Sequence, residues 1–154
     1  MIREARAGDV EALLAIQRDA CVAAFPHIYP PELYPFPDDE VRLIWQLALS
    51  DEEIEAYVAE EDGRAVGSVS VDHDLLRTLY VLPDRWSSGI GSALHDFSLD
   101  RLRARGRSVA KLWTLEENRP ARHFYEKRGW TLNGETRVVP FPPNPIDVGY
   151  SKKL

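Results

Sequence analysis

Cysteine is all but missing from this 154-residue chain: Cys21 is the only one. No internal disulfide can form, and no metal site can be built from several cysteines. Cys21 is expected on the buried face of the first helix, as a small apolar residue. A catalytic thiol there would need a neighbouring base, and the sequence places none. Long apolar runs are missing too, and none approaches the ~20 residues of a membrane span. Met1–Leu14 lacks a basic region followed by an apolar core, so no signal peptide is expected. Positive charge is in deficit, with 19 Lys and Arg against 25 Asp and Glu and a net charge of −6. That balance argues against general binding to nucleic acid or an anionic membrane. A cytoplasmic protein without a metal is the resulting expectation.

What is present is ordinary for one soluble domain. The chain is 44% apolar and 29% charged, long enough to bury a full core. A single domain over residues 1–154 is expected. The organising stretch is Leu75–Arg105. An apolar run, Leu75–Leu82, ends at Pro83, and Gly89-Ile90-Gly91 then opens an amphipathic helix. A helix start leaves backbone N–H groups free and carries partial positive charge. Glycine lets a ligand approach the backbone. Together these make a site for a phosphorylated ligand.

Around this stretch the pattern reads as follows. Ile2–Arg6 is a strand. Asp9 caps a first helix, with Val10, Leu13, Leu14, Ala20, Cys21 and Ala24 on one face. Phe25–Pro37 is too rich in proline for helix or central strand. It reads either as a rigid connector or as a pocket wall offering Phe25, His27, Tyr29, Tyr34 and Phe36. Asp38 caps a second helix to about Leu49, with Val41, Ile44, Trp45 and Ala48 inward. Ile54–Glu61 and Ala65–Val71 form a hairpin about Asp62-Gly63, and Gly67 marks a bulge or close packing. After Leu75–Leu82 comes a helix from about Gly89 to Arg105, with Ile90, Ala93, Leu94 and Phe97 buried. Val109–Leu115 is a strand, Asn118–Arg128 a helix, and Trp130–Val139 and Ile146–Lys152 are strands about a proline-rich turn. The order is β-α-α-β-β-β-α-β-α-β-β. It gives an α/β protein of the α+β kind, with a mixed, mostly antiparallel sheet of about seven strands flanked by four helices.

The glycine loop is neither a Walker loop, since no lysine follows, nor a dinucleotide fingerprint, since the third glycine is Leu94. Tyr80-Val81-Leu82-Pro83, then Trp86-Ser87-Ser88-Gly89-Ile90-Gly91, then Asn118-Arg119-Pro120-Ala121-Arg122-His123-Phe124-Tyr125 with Glu126-Lys127-Arg128-Gly129-Trp130 follow one another in order. In these motifs and their spacing the sequence resembles the GNAT superfamily of acetyl-CoA-dependent N-acetyltransferases, over nearly the whole chain.

The resemblance implies direct acetyl transfer from acetyl-CoA to a primary amine of a small molecule or peptide. Trp86, Ser87, Ser88, Gly89, Ile90, Gly91 and Ser92 would hold pyrophosphate. Leu79, Tyr80 and Val81 would receive the pantetheine arm, with Asn118 and Arg122 beside the cofactor. The Leu79 amide would hold the developing oxyanion, and Tyr125 would protonate the departing thiolate. Trp86 replaces a usual Gln or Arg, and Ser87 and Ser88 replace Gly and a basic residue. Arg85, Arg119 and Arg122 are the candidates to restore that charge. Leu75 stands where some members carry a basic glutamate, which leaves Asp72, His73, Asp74, water or no base at all. Tyr29, Tyr34, Tyr80 and Phe141 are candidates for the acceptor pocket. Net acidity mildly favours a cationic amine, and a homodimer is a possibility the family allows. A noncatalytic acyl-CoA-binding sensor or interaction module is the alternative: the missing glutamate supports it and Tyr125 opposes it.

Overall fold

Asp62 and Gly63 take positive φ of 51° and 75°, the backbone of a tight two-residue hairpin. They join β2 (Ile54–Glu61) to β3 (Arg64–Asp72) in the computed structural model, which describes residues 1–154. β3 returns antiparallel into β4 (Leu75–Val81), and β1 (Ile2–Glu4) pairs with the outer edge of β2. Beyond β4 lie β5 (Val109–Leu115), β7 (Ile146–Lys153) and β6 (Thr131–Val138), giving the order β1-β2-β3-β4-β5-β7-β6. Only β4 and β5 run parallel, and a parallel pair needs a crossover. That crossover is α3 (Ile90–Ala104); the other helices are α1 (Val10–Ala24), α2 (Asp38–Ser50) and α4 (Arg119–Glu126). The expected seven-stranded, four-helix architecture is therefore present. Element ends move by one to two residues: β1 stops at Glu4, β4 at Val81 and α4 at Glu126.

Two apolar clusters cover the sheet. The larger joins α3 and α4 to it through Val69, Val71, Leu94, Leu102, Tyr125 and Trp130. The smaller joins α1 and α2 to β2 through Leu13, Leu14, Val41, Trp45 and Val58. Gly67 lets α3 lie close. A Cβ there would stand 2.9 Å from Leu94 Cδ1 and 3.2 Å from Ile90 Cγ2.

Some side chains face other ways than the pattern suggests. Ile44 is 41% exposed, because Val41, Trp45 and Ala48 set the buried phase of α2. Ala93 is exposed, because α3 buries Leu94, His95, Ser98, Leu99 and Leu102. Neither expected aspartate cap acts on its own helix. Asp9 accepts the Arg6 N–H and a fork from Arg3, and Asp38 lies inside α2 behind Pro37. Asn118 does cap α4, accepting the Ala121 N–H.

Candidate active site

The sheet opens in the middle. β4 and β5 meet at Leu75 and Lys111, where the Lys111 N–H donates to the Asp74 carbonyl at 2.9 Å, and no further pairing joins them. A bulge in β4 lies beside this fork: Thr78 faces Ser70 and Leu76 faces Val71, so Arg77 is the extra residue. A bulge bends its strand and interrupts pairing. The Leu82 N–H bonds the Val66 carbonyl. Antiparallel ladders alternate, so Tyr80 and Thr78 point their backbone groups at β3. Leu79 and Val81 point theirs at the open edge.

At the wide end, the N–H groups from Ser87 to Ser92 find no backbone or side-chain acceptor in the protein; the first helical bond here runs from Ala93 to the Gly89 carbonyl. Gly89 has φ +92 and no atom within 4 Å of where a Cβ would stand. This is an open row of donors at a helix start, fit for a phosphate. The side chains nearby are more committed. Ser88 Oγ donates to the Arg85 carbonyl. The Trp86 indole N–H donates to the Val81 carbonyl at 2.8 Å, so Trp86 bridges the loop and β4.

At the narrow end, the opening leads into a cavity of about 560 Å³ between β4, β5, α1 and the Phe25–Pro37 segment. Leu79, Tyr80, Asn118 and Tyr125 line it from the sheet side; Tyr29, Tyr34 and Phe141 line it from the far side. The Phe25–Pro37 segment is thus a wall of this cavity. His27 fastens it by a 3.1 Å hydrogen bond with the Glu117 carbonyl. Cys21 lines the cavity instead of the core, and burial pushes its thiol up to about 12, so it stays protonated. Burial also raises Tyr80 and Tyr125 well above the ordinary phenol range. Tyr125 is 8% exposed. Phe124 and Trp130 pack against its ring edge-on, at 5.3 and 5.9 Å, and its hydroxyl bonds no protein group.

A profile of the Acetyltransferase (GNAT) family matches residues 15–130. The chain belongs to the GNAT family. It is 34% identical over 97 residues to an uncharacterized N-acetyltransferase of Archaeoglobus fulgidus, covering 56% of this chain and 66% of that protein. It is 34% identical over 92 residues to mycothiol acetyltransferase of Thermomonospora curvata, covering 56% of this chain and 31% of that protein. The chain thus matches less than two thirds of each relative's length. PaiA N-acetyltransferase of Thermoplasma acidophilum, solved in complex with coenzyme A, superposes with a TM-score of 0.83 at 20% identity, over 100% of this chain and 98% of that one. That likeness is one of fold.

Of the three arginines expected beside the loop, Arg119 is exposed and the other two are engaged by protein groups. Arg85 is held by Glu61 at 2.8 Å, and Arg122 bonds the Tyr150 hydroxyl at 2.9 Å and the Glu116 carbonyl at 3.0 Å. Arg128 reaches the start of α3. It donates to Ser92 Oγ at 2.6 Å and to the Phe124 carbonyl at 2.9 Å, and stacks 3.6 Å over the Phe124 ring. Sequence spacing hides it, since Ser92 is 36 residues away. Asp72 ends β3, His73 and Asp74 make the turn into β4, and none of the three lines the cavity; His73 is 63% exposed at its side chain and bonds Asp72. The buried carboxylate in the cavity is Asp147 of β7, 7% exposed, whose Oδ2 accepts the Arg137 Nε–H at 3.0 Å. No group of three or more His, Cys, Asp or Glu side chains could hold a metal ion, and no helix is long and apolar enough to cross a membrane.

Proposed function

We propose that this protein moves an acetyl group from acetyl-CoA to a primary amine by direct transfer. The observation that carries the reading is continuity. One open strand edge runs from a row of free N–H donors to a cavity holding a partnerless tyrosine hydroxyl. Acetyl-CoA supplies an activated thioester. The loop N–H groups from Ser87 to Ser92 hold its phosphates, and Arg128 adds charge through Ser92. Leu79 and Val81 offer their outward backbone groups to the arm as a neighbouring strand would.

The Leu79 N–H holds the thioester oxygen as negative charge grows on it. Tyr125 gives its proton to the departing sulfur as the amine nitrogen bonds the carbonyl carbon. Its raised pKa keeps that proton in place across the neutral range. The Asp147 carboxylate is the base best set to accept the amine's surplus proton, because it lies inside the cavity with Oδ1 free of a protein partner. The reading is tested by thiol release from acetyl-CoA with a broad panel of amines. Release that depends on the amine supports transfer. Coenzyme A binding without release from any amine would make the protein an acyl-CoA-binding module instead.

A further inference from the structure

Arg77 has no role in the acetyl-transfer reading, yet it stands in the same cavity. It is the extra residue of the β4 bulge, and a bulge re-aims a side chain. Here Arg77 turns toward α2 and lies 5.3 Å over the Trp45 ring. Its one hydrogen bond is a long one, 3.3 Å to Ser70 Oγ. No carboxylate lies within 4.0 Å of it, and Asp51 and Asp72 act on it only from a distance. The other cavity arginine, Arg137, is matched by Asp147.

A half-buried guanidinium without a counter-ion is costly to keep. It also presents a planar fork suited to a carboxylate. Arg77 and Leu79 are two residues apart on the bulged stretch of β4, and both line this cavity. A carboxylate on Arg77 would therefore sit a few bonds from an amine at the Leu79 amide. The remaining walls are mostly apolar and aromatic, with Tyr29, Tyr34, Phe36 and Phe141 among them.

We propose that the acceptor is an amine bearing a carboxylate a few bonds from its nitrogen and an apolar or aromatic body, and that Arg77 receives the carboxylate. This rests on the acetyl-transfer reading and names its substrate class. The net charge of −6 does not decide the matter, because the cavity contains two arginines and the surplus acid is largely outside it.

The test compares amines with and without the carboxylate: phenylalanine with phenethylamine, and leucine with isoamylamine. Thiol release is measured, and calorimetry follows N-acetylphenylalanine and N-acetylphenethylamine on the coenzyme A complex. The carboxylated member should lead by at least about thirtyfold in kcat/KM and in affinity. In Arg77→Gln the ratio should fall to near one, and Arg77→Lys should restore part of it. Arg77→Met should melt no lower than the parent, because it removes an unpaired cation; a purely structural arginine stacked on Trp45 would give a lower Tm.

A wild-type ratio near one, a ratio unchanged in Arg77→Gln, or no binding by any carboxylated compound overturns the proposal. Acetylation of amines without regard to the carboxylate sinks the substrate class and leaves the transfer reading standing. Arg77-dependent binding of N-acetylphenylalanine without thiol release from any amine does the reverse.

Discussion

The indole N–H of Trp86 donates to the carbonyl oxygen of Val81 over 2.8 Å. That carbonyl faces the open edge of β4, where the arm of acetyl-CoA is proposed to bond. Trp86 therefore competes with the ligand for one acceptor, and at 47% exposed it is free to swing out. Coenzyme A should change the tryptophan fluorescence of the parent more than that of Trp86→Phe, since Trp45 and Trp130 are buried and Trp113, which lines the cavity, is the one other reporter. The Phe variant should bind as tightly or tighter, by up to about 1 kcal/mol for the hydrogen bond no longer displaced. Equal fluorescence responses in both proteins would remove Trp86 from the path of the arm.

Tyr125 offers a sharper chemical test. Its hydroxyl is the one polar group in the motif helix that opens into the cavity without a protein partner. Tyr125→Phe should lower kcat by about 10²-fold while coenzyme A affinity stays close to that of the parent. The sign of the pH effect follows from burial. The acid must be protonated to act, and its folded pKa lies above the ordinary phenol value of about 10. No fall in kcat from this group should occur below about pH 10. Full turnover in Tyr125→Phe would end its assignment as the acid.

Gly89 tests the phosphate end. A side chain there meets open space but must adopt φ +92, which costs most L-residues about 1–2 kcal/mol and asparagine less. Gly89→Asn should keep coenzyme A binding. Gly89→Glu should lose it by at least about tenfold, through charge placed against phosphate. The contrast between the two separates electrostatics from backbone strain. Calorimetry showing equal affinity in both would move the phosphates away from this loop.

Much of this was legible because it is local. The strand, glycine turn and helix of Leu75–Arg105 are contiguous, and so is the Asn118–Trp130 segment, so their roles follow from short spacings. The acceptor side is not local. Arg77 enters through a bulge that alternation does not reveal. Asp147 and Arg137 arrive from β7 and β6, which reach the cavity only because β7 pairs beside β5. Arg128 reads as the charged last residue of the fourth helix until the fold sets it on Ser92. His95 is overlooked for the opposite reason, since a polar residue on an apolar stripe looks like an interruption.

His95 is in fact 2% exposed and fully matched. The Trp130 indole N–H donates to its Nε2 at 2.9 Å, which leaves Nδ1 to carry the proton and donate to Asp96 at 2.9 Å. A second proton, on Nε2, would face the Trp130 donor. Burial lowers the His95 pKa further, against the pull of Asp96. In the unfolded chain the imidazole titrates near about 6.5. Above that pH both states are neutral and the contribution is whole. As pH falls below it, the unfolded state takes up a proton that the folded state refuses, and stability drops until the folded pKa is reached. The other histidines, His27, His73 and His123, are exposed. His95→Gln can still accept from Trp130 and donate to Asp96, but it cannot titrate. Melting followed from about pH 7.5 to about 5.5 should show a steeper acid loss in the parent than in His95→Gln. Parallel curves would mean that the buried imidazole is protonated as readily folded as unfolded.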